Sequence, residues 1–169
     1  MSSRLYIRLE TKADIPVIRR IHQMVFPTWA ESELVDHLQT DGDGVVSLVA
    51  QRGGSLAGHV LFSRLRAADC EGLNCVALGP LGVLESHRRK GVGTTLVTEG
   101  IKILSGQGCD IVFVLGDPAF YRRFGFSAEL AAKFKTPYDG PHQQALALTG
   151  RGREAHGVVR YAPAFLALA

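Results

Sequence analysis

The spacing of apolar residues changes several times along the chain, and each change marks a boundary between predicted elements. Residues 5–9 predict a first strand, which the polar pair Glu10-Thr11 ends. A helix over about residues 12–25 is predicted next, because apolar side chains recur three or four positions apart at Ile15, Ile18, Ile21 and Val25. Thr11 and Asp14 have the spacing of a capping-box variant at the start of this helix. A second, shorter helix is expected over residues 31–38.

The rest of the chain predicts several strands around one longer helix. Residues 41–44 form a clear turn, and Arg52-Gly53-Gly54-Ser55 is typical of a hairpin connection. The other expected elements, in chain order, are strands over 45–51, 56–65 and 73–84, a helix from Gly91 to about 105, a strand over 109–115, a short helix over 118–124, and strands over 144–148 and 158–161. Residues 127–143 show no clear pattern. An antiparallel meander followed by one strand–helix–strand crossover predicts a mixed sheet.

This order of elements, with the length of the chain, defines the fold class. We expect an α/β protein of layered α+β architecture, whose mixed, mostly antiparallel central sheet has about seven strands flanked by about four helices. A length of 169 residues fits a single domain over residues 1–169 and suffices for a substantial core. Hydrophobic residues make up 46% of the chain and charged residues 21%, which argues against long disordered segments.

Charge, the N-terminus and the cysteines limit the compartment and the partners. The formal net charge of +3 is too small by itself to imply a nucleic-acid partner. Charged residues interrupt the apolar positions near the N-terminus, which argues against a secretion signal, and no uncharged apolar run reaches the ~18 residues of a membrane span. The three cysteines lack zinc-type spacing, and we expect a cytoplasmic protein with reduced, buried thiols at Cys70, Cys75 and Cys109.

The most informative segment is a glycine-containing turn between a predicted strand and a predicted helix. The apolar run 78–84 leads into the cationic run 88–90, and Gly91 and Gly93 follow where the helix begins. Unpaired N–H groups at a helix start and the positive end of the helix dipole bind phosphate or pyrophosphate. A side chain at either glycine would hold a phosphate away from the backbone. The segment therefore predicts a pyrophosphate site, to which the basic side chains add charge.

Two other phosphate-binding motifs do not fit this turn. A dinucleotide-binding Gly-x-Gly-x-x-Gly should close a strand near the start of a βαβ unit. Here three or four predicted strands come first, and Leu96 occupies the position of the third glycine. A nucleotide-hydrolysing P-loop needs Gly-Lys-Ser/Thr, and the sequence has no such tripeptide. Pyrophosphate binding without nucleotide hydrolysis points to coenzyme A.

The turn at residues 88–93, RRKGVG, resembles the Arg/Gln-x-x-Gly-x-Gly/Ala signature of the GNAT superfamily of N-acetyltransferases. Residues 121–126, YRRFGF, are similar to the later Tyr-x-x-x-Gly-Phe segment of that family. LGPL at 78–81 and GDPAFY at 116–121 resemble one bacterial branch of largely uncharacterised members. The resemblance covers about residues 4–126 in the order of elements, and it implies the GNAT acyltransferase fold.

The resemblance implies how acetyl-CoA would bind. Its pyrophosphate would accept hydrogen bonds from the backbone amides of residues 89–94, with Arg88 and Lys90 beside the phosphates. The strand at 81–83 would diverge from the strand at 111–115, and the pantetheine arm would lie in the gap, where a backbone N–H would polarise the thioester carbonyl. No metal is expected. The predicted cofactor-binding residues are Leu81, Gly82, Val83, Arg88, Arg89, Lys90, Gly91, Val92, Gly93 and Thr94.

Tyr121 is the predicted catalytic residue. The resemblance implies that its phenol stands beside the sulfur of the cofactor and protonates the departing thiolate. The general base stays open, because a chain of water molecules could serve as well as any of the candidate side chains Glu33, His59, Asp69 and Glu71. Of these, His59 is expected to be a buried, hydrogen-bonded core residue, and Glu33 is expected to lie on a solvated helix face.

Three further features have structural interpretations beside their functional ones. Asp117 is expected to cap the short helix that follows it. Phe26 and Trp29 lie where the first two helices of the family form a lid over the acceptor, and plain packing between helices would also account for them. Arg151 and Arg153 are expected to be solvated in a hairpin loop.

The resulting hypothesis is an N-acetyltransferase that moves an acetyl group from acetyl-CoA to a primary amine of a small molecule or a protein, by direct attack in a ternary complex. One alternative is a non-catalytic acyl-CoA-binding module, which would bind the cofactor without releasing thiol. Another is a nucleic-acid-binding protein, which would show steep salt dependence and would use Arg88, Arg89, Lys90, Arg122 and Arg123. No membrane partner is expected, and the resemblance leaves a homodimer open.

Overall fold

The computed structural model describes residues 3–68 and 72–168, so the candidate bases Asp69 and Glu71, together with Cys70, lie outside the described residues. Within these ranges one mixed sheet is flanked by helices. The strands are β1 (Leu5–Leu9), β2 (Gly44–Arg52), β3 (Ser55–Ala68), β4 (Cys75–Val83), β5 (Ile111–Leu115), β6 (Phe134–Lys135), β7 (Gln143–Ala147) and β8 (Gly157–Tyr161). The α-helices are α1 (Ile15–Val25), α2 (Ala30–Thr40), α3 (Val92–Gly106), α4 (Pro118–Tyr121), α5 (Ala128–Ala131) and α6 (Gly150–Glu154).

The sheet is built from an antiparallel meander and one parallel crossover. Strands β1 to β4 pair antiparallel in chain order. Helix α3 then connects β4 to its parallel neighbour β5, and β7 pairs antiparallel with β5. Strand β8 pairs with β3 and with the short β6. This topology confirms the expected mixed, mostly antiparallel sheet, which has eight strands across the described residues.

Alternate residues of the central strands pack against different helical layers. Val60 and Phe62 of β3 belong to one buried cluster, together with Leu96 of α3. The intervening Leu61 belongs to another cluster, which holds Ile18 of α1 and side chains of α2. Because successive side chains of a strand point to opposite faces, α3 covers one face of the sheet and α1 and α2 cover the other. A ligand that reaches both layers must therefore pass the sheet where two strands separate.

The start of the first helix confirms the capping-box interpretation. A 3-10 turn at Lys12–Asp14 continues directly into α1. The carboxylate of Asp14 accepts a hydrogen bond from the Thr11 N–H at 2.7 Å and two from the Arg8 guanidinium, at 2.8 and 2.9 Å. The Arg8 hydrogen bonds are the main reason why the pKa of Asp14 lies well below its ordinary value of 3.8. This ion pair fastens β1 to the beginning of α1.

The prediction of a hairpin loop around Arg151 and Arg153 is wrong. Strands β7 and β8 have different partners in the sheet, and helix α6 lies between them. The Arg151 guanidinium donates to the carboxylate of Asp110 at 2.8 Å, and Thr149 donates to the same carboxylate at 2.7 Å. Asp110 is buried, and a buried carboxylate requires such partners. Arg151 is therefore an ion-pair partner, and both Arg151 and Arg153 are exposed as expected.

Residues 127–143, which show no clear pattern in the sequence, contain the one-turn helix α5 and the two-residue strand β6. Cys75 and Cys109 are buried as expected, and burial raises the pKa of the Cys109 thiol to about 11. No helix in residues 3–68 or 72–168 has the length and apolar character needed to cross a membrane.

Candidate active site

Strands β4 and β5 separate part-way along their length. Their parallel pairing runs from Cys75 with Ile111 to Leu78 with Val114. Beyond Leu78, β4 continues to Val83 beside β3 alone, after an irregularity in the β3–β4 register. The pairing agrees with the expected divergence of residues 81–83 from β5, and it leaves a gap in the sheet.

The main chain of β4 presents polar groups to this gap. The Leu84 N–H donates to the carbonyl of Ala57 at 2.9 Å, which shows that residue 84 directs its polar groups at β3. Because successive residues of a strand direct these groups to alternate sides, those of Leu81 and Val83 face the side that β5 has left. In agreement, the Val83 carbonyl accepts from Arg88 Nε at 3.3 Å. This edge can hydrogen-bond an extended ligand that carries amides.

The turn that follows β4 places several N–H groups at the start of α3. Arg89 and Gly91 have positive φ angles, 61° and 79°. The hydrogen-bond ladder of α3 begins with the Thr95 N–H, which donates to the Gly91 carbonyl at 3.0 Å. The N–H groups in the first turn of the helix therefore have no carbonyl one turn earlier. Successive N–H groups in such a turn form a concave site that binds anions.

A cavity of about 960 Å³ lies over this turn, and we call it the turn cavity. Its lining contains Leu81 and Val83 of β4, residues 88, 89 and 91–94 of the turn, and Asp117, Phe120 and Arg123 around α4. Two residues expected at the cofactor are not part of the lining. Gly82 is buried against α1, where a Cβ would come within 3.0 Å of His22 Nδ1, and Lys90 is exposed on the turn.

Gly93 keeps the turn cavity open between β4 and α4. A Cβ placed on Gly93 would lie 3.6 Å from Phe120 Cζ, 3.7 Å from Val83 Cγ2 and 3.9 Å from Leu81 Cδ2. A longer side chain would therefore occupy the space between the two elements. Gly91 has a different reason to be glycine, since its φ of 79° disfavours any residue with a Cβ.

Arg123 also lines the turn cavity, although it is not among the cofactor-binding residues predicted from the sequence. Its guanidinium lies 4.7 Å from the centroid of the Phe120 ring, and its Nη1 donates to Thr94 Oγ1 at 3.3 Å. The interaction with the ring and the hydrogen bond hold a positive charge beside the start of α3. The sequence feature that could have identified Arg123 is its position two residues after Tyr121, in the YRRFGF segment. Asp117 caps α4 as expected, because its carboxylate accepts from the Ala119 N–H at 2.9 Å.

Tyr121 ends α4 and is 8% exposed. Its ring packs edge-on against Phe120 and Phe126, with centroids 4.8 and 5.7 Å away. Burial raises the pKa of the phenol to about 12, so the hydroxyl keeps its proton at neutral pH. Gly116 makes room for the ring, because a Cβ there would lie 2.6 Å from Tyr121 Cε2. The arrangement offers a protonated phenol in a fixed position.

The Tyr121 ring also borders a second cavity, of about 430 Å³, which we call the aromatic cavity. Phe26 at the end of α1 and Glu31 and Leu34 of α2 line one side of it, so it opens toward the α1–α2 layer. Leu81 borders both this cavity and the turn cavity. The two spaces therefore share the Leu81 side chain as part of their lining, at the point where β4 has left β5.

The candidate bases and lid residues are distributed unevenly around these cavities. His59 is fully buried and hydrogen-bonded, as expected, and Glu33 is exposed on α2. Neither residue lines the aromatic cavity, where the sequence analysis overlooked Glu31. Phe26 lines the cavity, and Trp29 is 64% exposed. Within the described ranges, no three His, Cys, Asp or Glu side chains are grouped to hold a metal ion.

Comparisons with known proteins agree with this architecture. The model of the acetyltransferase (GNAT) family matches residues 15–126. Two Escherichia coli proteins described as uncharacterized N-acetyltransferases are similar to the chain. YhbS is 40% identical over 129 residues, which cover 76% of this chain and 75% of YhbS, and YjhQ is 33% identical over 136 residues, which cover 78% and 75%.

Solved structures extend the similarity to nearly the whole chain. The crystal structure of E. coli YhbS in complex with CoA superposes with a TM-score of 0.91 at 33% identity, covering 98% of this chain and 94% of that one. A GNAT family acetyltransferase from Brucella melitensis in complex with acetyl-CoA superposes with a TM-score of 0.81 at 30% identity, covering 96% and 99%. The chain therefore belongs to the GNAT family of acetyltransferases.

Proposed function

We propose that this chain, as one domain over residues 1–169, transfers an acetyl group from acetyl-CoA to a primary amine by direct attack in a ternary complex. The observation that carries the proposal is the free edge of β4 beyond Leu78, which runs from the aromatic cavity to the turn at the start of α3. The CoA and acetyl-CoA complexes of the two similar crystal structures support the choice of cofactor.

The diphosphate of the cofactor would bind at the turn between Arg89 and Thr94. The N–H groups of this turn lack carbonyl partners one turn earlier, and the dipole of α3 adds a partial positive charge. Each charge-assisted hydrogen bond there contributes about 1.5–3 kcal/mol. Arg88 and Arg123 line the same cavity and would neutralise the outer oxygens of the phosphates.

The pantetheine arm would extend along β4. Its amides match the outward main-chain groups of Leu81 and Val83, which β5 does not pair. A β4 N–H at this position would bind the oxygen of the thioester carbonyl, where negative charge develops during attack. This orientation brings the thioester toward Leu81, the side chain that borders both cavities.

The chemical step needs a neutral amine and a proton for the leaving sulfur. The amine nitrogen attacks the carbonyl carbon, a C–N bond forms, and the C–S bond breaks. The phenol of Tyr121 donates its proton to the departing thiolate, and the proton that the nitrogen loses as the amide forms restores the phenol. A free alkylamine with a pKa of about 10.4 must lose a proton first, which costs roughly 4 kcal/mol at neutral pH. No side chain is assigned as the base that removes this proton.

Thiol release in the presence of acetyl-CoA and a panel of primary amines tests this function. We expect amine-dependent thiol release, with an acetylated product in the mass spectrum. Arg88→Glu should weaken acetyl-CoA binding by about tenfold or more in calorimetry, because it reverses a charge at the phosphates. Cofactor binding without thiol release for any amine would instead indicate a non-catalytic acyl-CoA-binding module. Unchanged acetyl-CoA affinity in Arg88→Glu would show that the phosphates do not bind at this turn.

A further inference from the structure

The aromatic cavity combines an apolar wall with a single charged side chain in its lining. Rings contribute much of the wall, and Glu31 is the charged residue among the described residues that line it. The rings support one another, since Tyr161 packs edge-on against Tyr138 and Phe165 with centroids 5.0 and 5.1 Å apart. The Tyr161 hydroxyl donates to Gln143 Oε1 at 3.1 Å, so its polar end is occupied. The wall is a preformed apolar surface.

The carboxylate of Glu31 lacks a partner for one of its oxygens. Oε2 is buried and has no hydrogen-bond donor among the described residues. A buried carboxylate oxygen without a donor costs free energy, and a ligand that supplies an N–H or a positive charge recovers it. Glu31 lies in the first turn of α2. The cavity therefore offers a negative charge to a cationic group.

We propose that the acceptor is a small primary amine attached to an aromatic or bulky apolar group, whose ammonium form is bound by Glu31. This inference rests on the proposed function and names the class of its acceptor. The apolar group would pack on the ring wall, and the ammonium would bind Oε2 before deprotonation. A volume of about 430 Å³ suits a small molecule. Glu31 is then the residue that determines specificity.

Other occupants match the cavity less well. Polyamines and amino sugars carry several charges or hydroxyls, and most of these would face rings without hydrogen-bond partners. A long acyl chain on the cofactor would match the rings, but it would leave Glu31 Oε2 unpaired. The combination of one carboxylate with an aromatic wall is complementary to an apolar amine.

Steady-state kinetics with 2-phenylethylamine, ethylamine and spermidine test the inference. We expect kcat/KM for 2-phenylethylamine to exceed those of the other two amines by about 10- to 100-fold, because the ring buries apolar area in the cavity. Glu31→Gln should raise KM for 2-phenylethylamine about tenfold with little change in kcat, which corresponds to about 1.4 kcal/mol. Glu33→Gln is the matched control, since Glu33 is exposed two residues along the same helix and should leave both constants unchanged.

Each outcome of these experiments tests either the acceptor class or the acetyltransferase function on which it rests. A preference for spermidine, or equal KM values in the wild type and Glu31→Gln, would overturn the inference and leave the acetyltransferase function intact. Faster turnover with octanoyl-CoA than with acetyl-CoA would assign the cavity to the acyl chain and would also overturn it. If no amine releases thiol, the proposed function fails. Calorimetric titration of 2-phenylethylamine into the CoA-saturated protein then decides separately, because the inference requires binding that Glu31→Gln weakens.

Discussion

His22 and His59 form a hydrogen-bonded pair in the core, with Nε2 of the first 2.8 Å from Nδ1 of the second. Both side chains are fully buried, and His59 Nε2 lies 2.8 Å from Ser47 Oγ. The His22 ring also fills the space where a side chain of Gly82 would lie, since a Cβ there would approach Nδ1 to 3.0 Å. The pair therefore connects α1 with the central strands β2, β3 and β4 from their α1 side.

Stability should fall with acidification because this pair is buried without charge. Burial lowers the pKa of His22 from 6.5 to about 4, and it lowers the pKa of His59 well below 6.5. A histidine with a depressed pKa contributes its full stability above the unfolded pKa, and the contribution is lost as the pH falls. His22 alone accounts for about 3 kcal/mol of unfolding free energy between pH 7 and 4. Asp14 adds to the loss only below its ordinary pKa of 3.8.

Denaturant unfolding at a series of pH values measures this loss. The double variant His22→Leu/His59→Leu should lose most of the slope between pH 6.5 and 4. His37→Gln, at an exposed position on α2, should keep it. A wild-type unfolding free energy that stays constant over this interval would show that the pair is not neutral in the folded state.

Gly93→Val should weaken acetyl-CoA binding by tenfold or more. The new side chain would extend from a position already within 3.6–3.9 Å of Phe120, Val83 and Leu81, and would occupy the space between β4 and α4. Gly106→Val tests the same substitution at the other end of α3, where a Cβ meets no atom within 4 Å. Calorimetry should show near-wild-type affinity for that control. Equal affinities in all three proteins would mean that the cofactor does not pass Gly93.

Tyr121→Phe should lower turnover by about 10²–10⁴-fold and leave acetyl-CoA affinity within a factor of about two, because only the proton donor is removed. The phenol is protonated at neutral pH, since burial raises its pKa to about 12. Stopped-flow or steady-state thiol release measures the turnover. Tyr6→Phe removes a hydroxyl from an exposed position on β1 and should leave turnover unchanged. Wild-type turnover in Tyr121→Phe would assign proton donation to water.

Gly116→Ala should disturb the Tyr121 ring rather than the cofactor. A Cβ at this position would lie 2.6 Å from Tyr121 Cε2, so the ring must move. Overpacking of this kind costs about 1–3 kcal/mol of stability. We expect a lower melting temperature and reduced turnover with acetyl-CoA affinity preserved. Gly150→Ala at the start of α6, where the nearest atom is 3.9 Å away, is the control for both measurements. A full turnover rate in Gly116→Ala would show that ring position is unimportant.

Local features of the site could be predicted from the sequence because they depend on contiguous residues. The turn at 88–93 places its N–H groups by its own backbone conformation, with positive φ at Arg89 and Gly91, and the carboxylate of Asp117 caps the helix immediately after it. The helices and longer strands likewise follow from the spacing of apolar residues, as for Ile18 and Ile21 in α1.

Contacts between distant segments could not be predicted in the same way. The His22–His59 pair and the Asp110–Arg151 ion pair join residues 37 and 41 positions apart, and nothing local marks them. Strand β6 exists through its pairing with β8, so its two residues carry no period of their own. In the sequence, Glu31 is one of several acidic residues on an amphipathic helix. Its place at the aromatic cavity depends on the position of α2 beside the ends of β4 and β5, which neighbouring residues in the chain do not determine.

The position of Leu81 has a consequence for substrate affinities. Leu81 lines both the space assigned to the thioester and the space assigned to the amine, so a substrate that displaces its side chain changes the space of the other substrate. Thermodynamic linkage makes this influence mutual: the factor by which acetyl-CoA alters amine affinity equals the factor by which the amine alters acetyl-CoA affinity. Leu81→Ala should therefore make the binding of acetyl-CoA and the binding of the amine independent of each other.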